Sequence, residues 1–322
     1  MATRLIRKTV ILAKIETTSG TDAVPTGAAN ALQVSDLSIT PLESNNVEMA
    51  FITAHFGSAI SLVGTACVKC SFSVPLSGAG TAATAPAWGA LLLGCASAET
   101  TGLTVPNRVE YLPITDLLKT LSIYWYDDGL LHKLLGCFGN VKLTAKSGEA
   151  PKLTFDFVGL DGGVTEAANA TPTLTAWRTP VAITKANVTD VLIGCTYSAG
   201  ALSGGTAYNS TGLTLDWGNQ VAFAPMLTTE EVVLSDRKMT GAVSLDLTAA
   251  QEVTFMGTVK ANTTTGVGFV IGTTTGNKIM LHAPAVQLMG PKKEDFNGKR
   301  LIGFDMRLMP VSGNDELRII SL

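Results

Sequence analysis

The sequence predicts a mainly β protein made of two tandem units, each with one short flanking α-helix. Three observations predict it. Gly (32 residues) and abundant Thr, Ala and Ser punctuate the chain with turn signals, as in folds of many short strands. Apolar and polar residues alternate with period two in several places. The order of these elements then recurs in the second half, as expected of a duplicated unit.

The first unit starts with a basic stretch that leads into Thr9–Ala13, and a loop or extended arm is expected over Thr17–Ala31. A strand follows around Leu37, Ser38 and Ile39, and a long segment leads to Val63 and Gly64. Val68, Cys70, Phe72 and Val74 then alternate with Lys69, Ser71 and Ser73, so one strand presents an apolar and a wetter face. Trp88, Leu91, Leu92 and Cys95 recur at three- and four-residue spacing, which predicts a helix over Pro86–Ala96 with proline in its first turn. Asp128 and Gly129 mark a hairpin after Leu121–Tyr126. Val141 to Leu143 and the alternation Leu153, Phe155, Phe157 complete the unit.

The second unit repeats this order. Leu213–Leu215 corresponds to Leu37–Ile39, and Thr240 and Gly241 to Val63 and Gly64. The alternating strand Val243, Leu245, Leu247 precedes a second, shorter helix pattern over Ala249–Val259. A hairpin signal at Gly276 and Asn277 follows Val267–Ile271. Val286–Leu288 then matches Val141–Leu143, and Phe304–Met306 matches Phe155–Phe157. Ser77–Lys119 has no full counterpart. Between the units, Gly162–Tyr208 has weak periodicity, and the boundary is expected within Thr171–Thr184. The domains are therefore expected at residues 1–175 and 176–322.

Chemistry is hard to place on this chain. A net charge of -3 argues against tight nucleic-acid binding, which needs clustered Lys and Arg. Five cysteines are an odd set, and Cys67 and Cys70 lack the partners of a metal or redox motif, so buried reduced thiols are expected. His132 and His282 each follow a hairpin turn in matching places of the two units. A shared metal site there is conceivable, but half-buried hairpin histidines are commoner. No nucleophile elbow, phosphate loop or metalloprotease motif occurs. Asp127 and Asp128 fit a tight turn. Tyr124, Trp125 and Tyr126 fit packing across a sheet. No apolar run reaches the ~20 residues of a membrane helix, so a soluble protein made in the cytoplasm is expected, with no catalytic role and no cofactor.

Two long segments are unusually apolar. Asn45–Ser58 carries Val47, Met49, Phe51, Ile52 and Phe56, and Gln220–Lys238 carries Val221, Phe223, Met226, Leu227 and Val232. Apolar surface left in water costs about 25 cal/mol per Å², so both are expected to cover a neighbouring subunit. The polar strand faces bearing Asp156, Ser244, Asp246 and Asp305 suggest a neutral to acidic surface.

The stretch Lys14–Leu32 followed by Leu37–Leu42 resembles the N-terminus of tail tube (major tail) proteins of long, non-contractile-tailed phages and related prophages. Tyr124–Gly129, Gly136–Val141 and Pro151–Phe157 look like the hairpin and paired strands of that family. The resemblance implies two tandem tail-tube-like β-sandwich or half-barrel domains. It also implies inner strands that join around a ring, and long loops that reach the next ring. Its implied partners are copies of the chain itself, tape measure, tail terminator and distal tail proteins, and double-stranded DNA passing without tight binding. On that reading Asp156, Ser244, Asp246 and Asp305 would face the lumen. Two units in one chain favour trimeric, pseudo-hexameric rings over hexamers. A decoration, baseplate or receptor-binding protein of the virion is the alternative, and a carbohydrate-active enzyme or secreted binding domain a more remote one.

Overall fold

The computed structural model describes residues 3–322. After a 3-10 turn at Ile6–Lys8, the first half runs β1 (Val10–Ile15), α1 (Gly27–Asn30), β2 (Ser35–Glu48), β3 (Ser61–Pro75), α2 (Gly89–Leu93), β4 (Ser97–Leu103), β5 (Arg108–Pro113), β6 (Leu121–Tyr126), β7 (Leu130–Lys146) and β8 (Lys152–Glu166). The second half runs β9 (Val191–Ser198), β10 (Ala201–Tyr208), β11 (Ser210–Asp216), β12 (Asn219–Pro225), β13 (Glu230–Arg237), β14 (Thr240–Leu245), α3 (Ala249–Lys260), β15 (Thr264–Ile271), β16 (Ile279–Phe296), β17 (Lys299–Met309) and β18 (Arg318–Ser321).

Hydrogen bonding orders the first half β1-β6-β7-β8-β3-β2 and the second β9-β15-β16-β17-β14-β11. The two orders match strand for strand, and so does local register. A bulge separates the pairs Leu121↔Cys137 and Ile123↔Leu134, and another separates Thr265↔Val286 and Val267↔Ala283. Phe157 pairs with Gly139 in one half and Met306 with Leu288 in the other. This pairing corrects three sequence-based correspondences, the first being that Gly241 occupies the place of Cys70 rather than Gly64. Val286 occupies the place of Cys137 rather than Val141, and Leu281, not His282, occupies the place of His132. A four-residue offset is invisible in a sequence whose strands all alternate.

The halves are joined within one sheet, because β11 pairs antiparallel with the C-terminal end of β7, from Gly212↔Lys146 to Asp216↔Lys142. Strands β16-β17-β14-β11-β7-β8-β3-β2 therefore form one continuous run of eight. A second link is β18, which lies between β16 and β5.

One main core fills the space behind this run. Phe155 and Phe157 stack with ring centroids 5.7 Å apart, and Phe72 lies 5.9 Å from Phe157. In the second half, Phe255 of α3 packs 5.7 Å from Phe304. The helices reverse their expected sizes. The first is a five-residue turn beginning after Trp88, and the second spans twelve residues behind a Thr248–Gln251 capping box. Asp128 and Gly129 both have positive φ, 44° and 98°, as a two-residue hairpin turn requires.

Sequence periodicity missed the β9–β10 hairpin, placed inside the weakly periodic stretch, and the β4–β5 pair in Ser77–Lys119. Much of β10 is exposed, so its side chains carry no burial pattern to read. The stretch between β8 and β9 holds no strand, yet Trp177 is buried there and its indole N–H donates to the Ala31 carbonyl at 2.9 Å.

Candidate assembly site

The eight-strand run has one apolar face on the core and one polar face. On β8, Leu153, Phe155 and Phe157 are buried, while Asp156 is exposed. Residues directly opposite in an antiparallel ladder share a face. Asp156 lies opposite Ser71 and Asn140, Ser244 opposite Gly212 and Gly303, and Asp305 opposite Ala242 and Met289. Asp246 sits one residue beyond β14 and forms an ion pair with Lys299. Lysines share this face, and of Lys142, Lys292 and Lys152 only the last stands out in the alternation of the sequence. Lys142 lies 3.9 Å from Asp156 and 3.7 Å from Asp216, Lys292 lies 3.6 Å from Asp305, and Lys152 bonds Asp36 at 2.9 Å. The Lys152 hydrogen bond holds the Asp36 carboxyl below its ordinary value. Each of these three lysines is matched by an acid, while Arg307 and Lys146, exposed on the same face, have no ion-pair partner among the described residues, so the face carries both signs and is not simply acidic.

The two apolar segments differ in form. Residues 49–60 connect β2 to β3 without strand structure, with Met49 half-buried. Phe51, Ile52 and Phe56 are 71%, 103% and 107% exposed, and Val47 is 51% exposed. Gln220–Lys238 is not a loop but largely the hairpin β12–β13, which continues the β11–β14 ribbon. Its Val232 is buried, Val221 and Phe223 are partly buried, and Met226 and Leu227 stand exposed at the tip. Cross-strand pairing of Val221 with Leu234 and Phe223 with Val232 organises what composition alone showed as an apolar stretch.

This hairpin lies against β7 and β8 of the first half. The Asn219 side chain donates to the Cys95 and Gly139 carbonyls at 2.9 and 3.0 Å, and a cleft lined by Glu43, Cys67, Lys69, Val158, Val221 and Phe223 separates it from β2–β3.

Two buried carboxylates went unnoticed in the sequence. Glu16 accepts from the Thr120 and Ser122 hydroxyls and the Gly20 and Gly136 amides, pinning the N-terminal arm to β6 and β7. Glu110 accepts from Arg108, Arg318 and Tyr197. Burial alone would push the Glu110 carboxyl up, but these donors together hold it below the ordinary value. The only available signal was an acid inside an otherwise apolar strand, as in Val109-Glu110-Tyr111.

All five cysteines are buried and unpaired, and burial pushes the thiols of Cys67, Cys70, Cys95, Cys137 and Cys195 up. Such thiols are poor nucleophiles. His132 and His282 lie buried on β7 and β16, and among the described residues no His, Cys, Asp and Glu side chains are grouped to hold a metal. Tyr124 and Trp125 are buried, and the Tyr124 hydroxyl donates to Asp22 at 2.6 Å. No described helix is long and apolar enough to cross a membrane.

No curated protein matches the chain. The family model described as phage tail tube protein matches residues 6–301, taking in the first strand set, the seam and the second set as far as the start of β17. A mainly β chain with a continuous, polar-faced sheet thus belongs to the phage tail tube protein family and is a structural tail tube protein of the virion.

Proposed function

We propose that this chain is the repeating subunit of stacked rings that conduct DNA, with three copies closing each ring. The observation that carries it is the matched strand order of the two halves. It supports an internal duplication, with tube domains at residues 1–175 and 176–322, each supplying four strands to the inner wall. Three chains of eight strands make a barrel of twenty-four, because closure depends on strand number and tilt, not on chain count.

The polar face turns to the lumen, with Asp156, Ser244 and Asp305 among its residues and Asp246 at its margin. Lysines held by acids release few counterions to a passing duplex, so DNA slides without sticking. The segments around Phe51, Ile52 and Phe56, and around Met226 and Leu227, reach the neighbouring ring. Tape measure, terminator and distal tail proteins meet the same tube inside and at its ends. The subunit works without catalysis.

Image reconstruction of assembled protein without imposed symmetry tests this. Three chains per ring are expected. Six chains per ring, with the second half on the outside, would refute the three-chain arrangement.

A further inference from the structure

Strand β2 bonds only β3, and residues 288–296 of β16 bond only β17, so both offer an unpaired edge. Such edges carry N–H and C=O groups that need partners. The same two places in the other half are filled, since β11 corresponds to β2 and the end of β7 to the end of β16.

The correspondence fixes register. Ile39 lies opposite Cys70, which lies opposite Phe157, while Leu215 lies opposite Gly241, which lies opposite Met306. Asp36 and Gly212, three residues earlier in each strand, both have positive φ, 54° and 133°. Lys142 lies opposite Thr154, and Lys292 opposite Gly303. Each of these lysines approaches the acid two residues further along its partner strand, Asp156 or Asp305.

We infer that the β2 edge of one copy pairs antiparallel with the β16 edge of the next, with Ile39 opposite Lys293 and Thr40 opposite Lys292. This rests on the ring reading above and names its contact. The pairs reproduce Leu215↔Leu143 and Asp216↔Lys142 of the internal seam. Lys293 replaces a leucine there, and its ammonium reaches Glu252 of α3, leaving its aliphatic stem beside Ile39. The junction is thus more polar than the seam, as suits an edge that meets water before assembly. By the same correspondence the β2–β3 ribbon, with exposed Val47, Leu62 and Val63, lies across β16 and β17 of the next copy as β12–β13 lies across β7 and β8.

Oxidation of an assembled Thr40→Cys, Lys292→Cys double variant tests the register, since opposite residues in an antiparallel pair stand about 5 Å apart. A covalent ladder ending at trimer is expected, with each single variant remaining monomeric on a denaturing gel. Hydrogen exchange of the native chain is the second measurement. Amides in residues 36–40 and 292–296 should slow by about tenfold or more on assembly. If the double variant fails to assemble, the exchange result decides. Tubes whose two edges exchange as fast as in free subunits would overturn the junction while leaving the tube function standing. Native protein that forms no ring or tube at all would sink both.

Discussion

Lys142 of β7 lies 3.7 Å from Asp216 of β11, an ion pair that crosses from the first half of the sheet to the second. Asp156 stands 3.9 Å away on the other side of the same lysine. One cation therefore bridges two acids at the seam. All three side chains are a third or more exposed, so solvent screening keeps each pair weak.

Reversing that charge, Lys142→Glu, sets three carboxylates together on adjacent strands. We expect a loss of about 1 kcal/mol in urea denaturation of the free subunit, shrinking as salt is added. A loss unaffected by salt would show that packing, not charge, is responsible.

Phe155 is fully buried between Phe72 and Phe157, with centroids at 6.1 and 5.7 Å. Phe155→Ala should cost about 3–5 kcal/mol through lost burial and the cavity left behind. The urea midpoint should fall with an unchanged slope. A loss below about 1 kcal/mol would place the main core elsewhere.

Burial holds His132 and His282 below the ordinary imidazole value of 6.5. The unfolded chain then binds more protons than the fold once pH drops below about 6.5, so stability declines from there as pH falls and levels off below the folded values. Asp22, Asp36 and Glu110, whose values are lowered, add a separate loss as pH falls through the carboxylate range. His282→Leu should flatten the decline that sets in below pH 6.5 and leave the acid limb in place. Equal slopes for variant and parent would remove His282 from the effect.

Deletion of Met49–Phe56 removes three strongly exposed apolar side chains from a segment without strand structure. The deleted chain should keep its unfolding transition within about 1 kcal/mol, since exposed loop residues contribute little to the core. It should no longer polymerise in negative-stain images. Long tubes from this variant would strip the segment of its assembly role.

The sequence by itself determined the β class, the strands around Phe72, Phe155 and Phe304, the Asp128–Gly129 turn and the recurrence of one element order. Those features are local, because alternation and turn chemistry act over a few residues. It also exposed the apolar character of Asn45–Ser58 and Gln220–Lys238. Only tertiary structure decided that the second segment is a hairpin folded on the first half, since the surface it rests on is distant in sequence: the Asn219 side chain reaches the Gly139 and Cys95 carbonyls, 80 and 124 residues away. The same holds for the lysines beside Asp156 and Asp305, because a ladder, not a linear motif, brings Lys142 and Lys292 to them. Register was the least legible property. A shift of four residues preserves the alternation of β16, and only its hydrogen-bonded partners on β15 and β17 show that Val286 stands where Cys137 does.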